Sequence, residues 1–141
     1  SRSSAASDVY KRQVLGLISA NLSLQSILGY VFAPICWLMG IPWNEAIGAG
    51  ELLGIKLATN EFVAYIQFGS LDPDVFSEKT KVIMLYALCG FANFSSVGIL
   101  ISGIGAMAEN RKSDLIEVSG KALVGATLAS CFTGLIAGLF V

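Results

Sequence analysis

The sequence predicts an all-helical integral membrane protein, and three observations support this class. Of its 141 residues, 55% are hydrophobic and only 13% are charged, with a mean hydropathy of +0.71. A soluble domain carries nearer a quarter charged residues. Charged side chains are missing from three stretches, Val14–Asn44, Val82–Ala108 and Ala122–Val141. Each matches or exceeds the ~20 residues needed to cross a bilayer, and helices satisfy their own backbone hydrogen bonds in lipid.

The first thirteen residues, Ser1 to Gln13, are polar and end abruptly at an apolar run. Asp8 to Gln13 matches the in-frame translation of a transposase sequencing adapter, so we expect residues 1–13 to be a non-native tag. The alternative is a signal peptide with Lys11 and Arg12 as its basic start. If the segment is a tag, residues 14–141 are the C-terminal part of a longer reading frame.

The next segments are apolar and come before the first charged stretch. Val14–Ala20 is interpreted as the end of a membrane helix, and Asn21 and Ser23 offer a break and a helix cap. Residues 22–39 form an apolar segment whose aromatic side chains are typical of a membrane boundary. This segment is predicted either to span the bilayer or to lie at its interface.

Residues 44–68 combine charges with glycines and a second apolar half. Glu51, Lys56 and Glu61 disfavour a straight span that faces lipid. A re-entrant helical hairpin fits better, because each arm needs only about ten residues to reach the midplane. Its tip is expected at Thr59–Asn60–Glu61, where non-helical backbone is tolerated if it lines a protein cavity.

Residues 79–108 are long enough to span, after a turn at Asp72–Asp74 and a helix cap at Ser77. Their centre, Gly90–Gly98, is rich in helix-weakening residues, so we predict a discontinuous transmembrane helix. A last transmembrane helix is predicted at residues 114–141. Small residues recur every fourth position along it and predict a helix-packing face: Ala122, Ala126, Ser130, Gly134 and Gly138.

Two polar clusters lie inside these apolar segments and supply the candidate functional residues. A polar group at membrane depth is costly, so it is usually kept for a substrate, an ion or a helix contact. Glu61 is the strongest acceptor and can take two hydroxyl hydrogen bonds, while Asn93 both donates and accepts. Such a set suits a neutral, polyhydroxylated ligand with a flat or apolar part. The candidates are Asn60, Glu61, Phe91, Asn93, Ser95 and Ser96.

Structural interpretations of these clusters compete with the functional one. One structural role is to hydrogen-bond neighbouring helices together. In that case Asn93, Ser95 and Ser96 would each stabilise helix packing by about 0.6 kcal/mol. Glu61 would be structural if it paired with Lys56, and merely solvated if its segment lay at the surface.

Other function classes have little support in the sequence. The chain has no His, and its three Cys residues are far apart, so no metal site is expected. Glu61 lacks a nucleophile–base partner, so no enzyme is expected. There is no basic patch that would bind nucleic acid.

Three motifs resemble the concentrative nucleoside transporter family, and together the resemblance covers essentially Val14–Val141. Residues 54–65 are similar to its second re-entrant hairpin and contain Gly-Ile-Lys-Leu-Ala-Thr-Asn-Glu-Phe-Val-Ala-Tyr. Residues 89–99 resemble its discontinuous penultimate helix and contain Cys-Gly-Phe-Ala-Asn-Phe-Ser-Ser-Val-Gly-Ile. Residues 22–34 are similar to its pre-hairpin segment.

The resemblance implies one half of an inverted-repeat transporter, usually trimeric, that is a multi-pass protein of the plasma or inner membrane. It implies symport of a nucleoside such as uridine with sodium or protons, by alternating access. It also implies that Glu61 contacts the ribose and that Phe91, Asn93 and Ser96 complete the ribose side. Asn60 and Ser95 match the motifs and are assigned supporting roles.

The family's first hairpin, which contacts the nucleobase and helps hold the cation, has no counterpart here. The coupling-cation site is therefore expected outside this chain, and no other cofactor is expected. Two alternatives stay open: an inert or structural membrane fragment, and a channel for a polar ligand. Ser102 occupies a position where the family pattern has a second glycine.

Overall fold

The computed structural model of the protein describes residues 24–141, and within them it is helical without strands. The expected tag at residues 1–13, the helix end at Val14–Ala20 and the cap at Asn21 and Ser23 lie outside the described residues. The all-helical class is confirmed. The helices are α1 (Leu24–Leu38), α2 (Trp43–Ala58), α3 (Glu61–Gly69), α4 (Glu78–Leu88), α5 (Phe94–Met107) and α6 (Lys112–Gly138), with a 3₁₀ turn at Glu109–Arg111 before α6.

The first two helices form a closely packed pair, bent by 120° at the turn between them. Gly40 opens this turn with a φ of 94°, in the left-handed region that glycine adopts without strain. Pro42 follows as the residue before α2. The backbones approach closely, because a Cβ built at Gly50 would lie 2.5 Å from the Gly29 carbonyl oxygen. A larger residue at position 50 would therefore push the helices apart.

The buried core is formed mainly by α1, α2 and α4, with further side chains from α3, α6 and the connecting segments. Met84 and Leu88 of α4 are fully buried, and Cys131 of α6 joins the same cluster. Helix α6 packs on α4 through its glycines, since a Cβ built at Gly134 would lie 2.7 Å from the Ile83 carbonyl oxygen. The two helices are thus in backbone contact.

Two of the breaks between helices lie beside the predicted polar clusters. Thr59 and Asn60 separate α2 from α3, and residues 89–93 separate α4 from α5. The cap predicted before α4 is confirmed, because the Ser77 hydroxyl accepts a hydrogen bond from the Thr80 amide. Ser102 lies on an exposed face of α5, where its hydroxyl donates to the Gly98 carbonyl.

By length and composition, one helix in the described part would cross a bilayer, the continuous stretch Glu109–Gly138. The bent pair of α1 and α2 passes the same test when its two helices are taken together. Helix α5 is apolar but has only 14 residues, fewer than the ~20 that a span requires. The depth of α2 and α3 in the membrane stays a prediction.

Candidate functional site

The first side of the site is the N-terminus of α3. Asn60 has an extended backbone, with φ −162° and ψ 170°, and its Oδ1 accepts a hydrogen bond from the Val63 amide at 3.0 Å. An asparagine in this position satisfies an amide that the helix itself leaves unpaired. Thr59 closes the preceding helix, because both its amide and its hydroxyl donate to the Ile55 carbonyl. The chain therefore ends one helix and begins the next within two residues.

The opposite side is the N-terminus of α5, and it is built in the same way. Asn93 is extended, with φ −150° and ψ 162°, and its Oδ1 accepts from the Ser96 amide at 2.7 Å. Only 1% of Asn93 is exposed. Because Oδ1 is bound to the Ser96 amide of the same helix, the NH₂ group of Asn93 can donate to a partner on another segment.

The two sides meet in a hydrogen bond from Asn93 Nδ2 to Glu61 Oε2, 2.7 Å long. Glu61 is the first residue of α3, so the bond joins two helix N-termini. The partial positive charge of these helix ends favours a carboxylate there. The second carboxylate oxygen, Oε1, accepts no hydrogen bond from the described residues, which leaves a strong acceptor for a ligand.

The remaining candidates surround this pair with different degrees of exposure. Ser96 is 9% exposed, and its hydroxyl forms no hydrogen bond within residues 24–141. Phe91 lies in the break before α5 and is 76% exposed, while Ser95 is also exposed. The structure therefore brings together Glu61, Asn93 and the Ser96 backbone.

Another buried polar group lies close to the site, and the sequence had suggested it only as a possible partner of Glu61. Lys56 of α2 is 2% exposed, and its Nζ donates to the Ala87 carbonyl of α4 at 2.8 Å. The proposed structural pair between Lys56 and Glu61 is not found: the ion pairs of the described part are Lys81–Glu78 and Arg111–Asp114. The place of Lys56 in the last turn of α2 gave no sign of its Ala87 partner, since a lysine there more often bonds the last carbonyls of its own helix.

Tyr65 is the second residue that sequence reasoning missed. Its hydroxyl donates to the Leu85 carbonyl at 2.6 Å, so α3 also reaches the end of α4. An aromatic residue in an apolar helix carries no local sign of such a partner. The hydrogen bonds of Lys56 and Tyr65 thus connect both arms of the predicted hairpin to α4, the helix before the second break.

Residues 8–138 match the family model described as "Na+ dependent nucleoside transporter C-terminus". An uncharacterized transporter, YutK of Bacillus subtilis, is 50% identical over 121 residues, covering 86% of this chain and 30% of that protein. The nucleoside permease NupC of Helicobacter pylori is 46% identical over 125 residues, with the same two coverages. This chain thus spans about 30% of the length of these relatives.

The solved structures give the same result at the level of the fold. The chain superposes on CNTnw "in an inward-facing substrate-bound state" with a TM-score of 0.80 and 38% identity, covering 98% of this chain and 37% of that one. Fold and sequence together place the chain in a family of membrane transporters. The chain belongs to the concentrative nucleoside transporter family and corresponds to its C-terminal region, which confirms the resemblance.

Proposed function

We propose that the protein containing this region takes up nucleosides, such as uridine, by cation-coupled symport. The observation that carries the proposal is the Glu61–Asn93 hydrogen bond, which joins the N-termini of two interrupted helices. Interrupted helices that point at a polar substrate are a recurrent way of building transporter sites. The names of the family model and of the NupC relative agree with a nucleoside as that substrate.

In this proposal the free oxygen of Glu61 accepts the hydroxyl hydrogen atoms of the ribose. Asn93 holds the carboxylate in place and keeps its second oxygen open. The Ser96 hydroxyl adds a further polar contact, and the exposed ring of Phe91 supplies a flat apolar surface. A ribose fits this set, because its paired hydroxyls donate to one carboxylate while the sugar itself stays neutral.

Asn60 and Ser95 support the site without contacting the ligand. Asn60 fixes the start of α3, and therefore the position of Glu61, by capping the helix. Ser95 lies in the first turn of α5 beside Ser96. Loss of either side chain would alter the geometry of the site rather than remove a ligand contact.

Transport proceeds by alternating access, with α2–α3 and α4–α5 moving together as parts of one mobile body. Coupling requires that ligand and cation favour the translocating state, since a ligand shifts a conformational equilibrium only by its differential affinity. Sodium is the coupling ion that the description of the family model favours, and protons are the alternative. The cation site lies outside this chain, and the complete transporter assembles as a homotrimer in the cell membrane, where it spans the bilayer several times.

The test is uptake of labelled uridine by transporter-deficient cells that express the complete reading frame, with and without an inward sodium gradient. Accumulation above the external concentration that disappears without sodium is the expected result. Accumulation that depends on a proton gradient instead would identify protons, rather than sodium, as the coupling ion. Flux that only equilibrates uridine would contradict symport and favour a channel, and no uptake by protein present in the membrane would contradict the nucleoside assignment.

A further inference from the structure

The last turn of α4 is buried at Ala87 and Leu88 and half exposed at Leu85 and Tyr86, and its final carbonyl groups need partners. The final four carbonyls of an α-helix have no partner within the helix, and a buried one left unpaired costs stability. In α4 the Tyr86 carbonyl accepts from the Cys89 amide, which tightens the last turn. The carbonyls of Leu85 and Ala87 are instead satisfied from outside the helix.

Both outside donors come from the segment that carries Glu61. Tyr65 of α3 donates its hydroxyl to Leu85, and Lys56 of α2 donates its ammonium to Ala87, at 2.6 and 2.8 Å. These two residues lie on either side of Glu61 in the chain. The acceptors lie a few residues before Asn93, so the same two segments make all three contacts.

The surroundings of the Lys56 ammonium leave it little freedom to move. A Cβ built at Gly90 would lie 3.6 Å from Nζ and would overlap the Ser130 hydroxyl of α6. The cation therefore lies where the end of α4, the break after it and α6 converge. A positive charge near a helix C-terminus is favoured by the helix dipole, which adds to the hydrogen bond.

We propose that Lys56 and Tyr65 are positioning residues that fix Glu61 against Asn93. They cap α4 from the helix before Glu61 and from the helix that Glu61 begins, so the start of α3 cannot move away from the break after α4 without losing a cap. Neither residue needs to contact the ligand. The inference rests on the proposed function, because its readout is recognition of the ribose hydroxyls.

The test compares uridine with 2′,3′-dideoxyuridine, which lacks the hydroxyls that Glu61 would accept. The KM of both compounds is measured for the full-length transporter and for Tyr65→Phe, which removes only the donor oxygen. Lys56→Met, which keeps a long apolar side chain without the charge, is the second variant. Tyr86→Phe is the matched control, because Tyr86 is an exposed tyrosine of α4 whose hydroxyl forms no hydrogen bond with any residue from 24 to 141.

If the proposal holds, Tyr65→Phe raises the KM for uridine about fivefold, the effect of losing one ordinary hydrogen bond, and leaves the KM for dideoxyuridine unchanged. Lys56→Met raises the KM for uridine by at least as much, and Tyr86→Phe changes the KM of neither compound. An equal change for both compounds, or a fall in kcat alone, would show a structural role and overturn the proposal. If Lys56→Met does not reach the membrane, Tyr65→Phe still decides. A wild-type protein that transports neither compound would contradict the proposed function instead.

Discussion

Asn93 donates from Nδ2 to Glu61 across 2.7 Å while its Oδ1 accepts from the Ser96 amide, also at 2.7 Å. One buried side chain thus starts a helix and holds a carboxylate. The two tasks use different atoms of the amide, so substitutions can separate them. Helix capping and ligand recognition are therefore distinct, testable properties of one residue.

Glu61→Gln is expected to lower uridine uptake by about 10- to 100-fold, because hydrogen bonds to a charged acceptor contribute roughly 1.5–3 kcal/mol. Glutamine has nearly the same size and still accepts from Asn93, so membrane insertion should be unaffected. The measurement is the initial uptake rate, normalised to the amount of protein in the membrane. Glu117→Gln, on an exposed face of α6, is the control and should transport normally. Uptake by Glu61→Gln at the wild-type rate would refute the role of the carboxylate.

Asn93→Ser is expected to separate capping from recognition. Serine caps helices about as well as asparagine, so the free energy of unfolding should change by no more than about 1 kcal/mol. Its shorter side chain cannot reach Glu61, so uridine affinity should fall. Thermal unfolding and equilibrium uridine binding of the purified full-length protein measure the two effects. Asn110→Ser, in the exposed turn before α6, serves as the control. Unchanged affinity in Asn93→Ser would mean that Glu61 needs no partner.

Gly90→Ala is expected to destabilise the break between α4 and α5 by about 1–3 kcal/mol, as overpacking commonly does. The added methyl group would overlap Ser130 Oγ and lie 3.0 Å from Ser130 Cβ. Combining it with Ser130→Gly should restore much of the loss, because both atoms are then removed. Gly98→Ala, which meets no atom within 4 Å, is the control. The measurement is the unfolding temperature, and failure of the double variant to recover would contradict this packing.

Gly50→Ala is expected to lower the unfolding temperature although alanine favours helix by about 1 kcal/mol. Its Cβ would lie 2.5 Å from the Gly29 carbonyl oxygen and 3.0 Å from the Ala33 amide nitrogen. These are backbone atoms, so no change of rotamer relieves the overlap. Gly125→Ala on α6 has open space around it and should keep or raise the unfolding temperature. The same change in unfolding temperature for Gly50→Ala and Gly125→Ala would contradict close packing of α1 on α2.

The sequence predicted where the helices break but not how the breaks are joined. Local chemistry determines where the helices break, since Asn60 and Asn93 cap the helices that follow them. The partner of Lys56 was not predictable, because its acceptor is a backbone carbonyl that no side chain marks. Pairing with Glu61 was the natural guess from sequence distance, and the structure has a different contact.

The small-residue face of α6 shows a second limit of sequence reasoning. Ser130, Gly134 and Gly138 are buried as predicted, whereas Ala122 and Ala126 are exposed. The repeat is continuous along α6, but α4 has 11 residues and α6 has 27, so α4 covers only part of the face. A periodic pattern predicts which side of a helix packs, and the length of the partner decides how much of it does.

The most direct test of the account is the affinity of the purified full-length transporter for uridine and for 2′,3′-dideoxyuridine, in the wild type and in Glu61→Gln. If Glu61 accepts the ribose hydroxyls, the wild type binds uridine at least about tenfold more tightly, and most of this preference disappears in Glu61→Gln. Equal affinity of the wild type for both compounds, or a preference that survives in Glu61→Gln, would contradict the central claim.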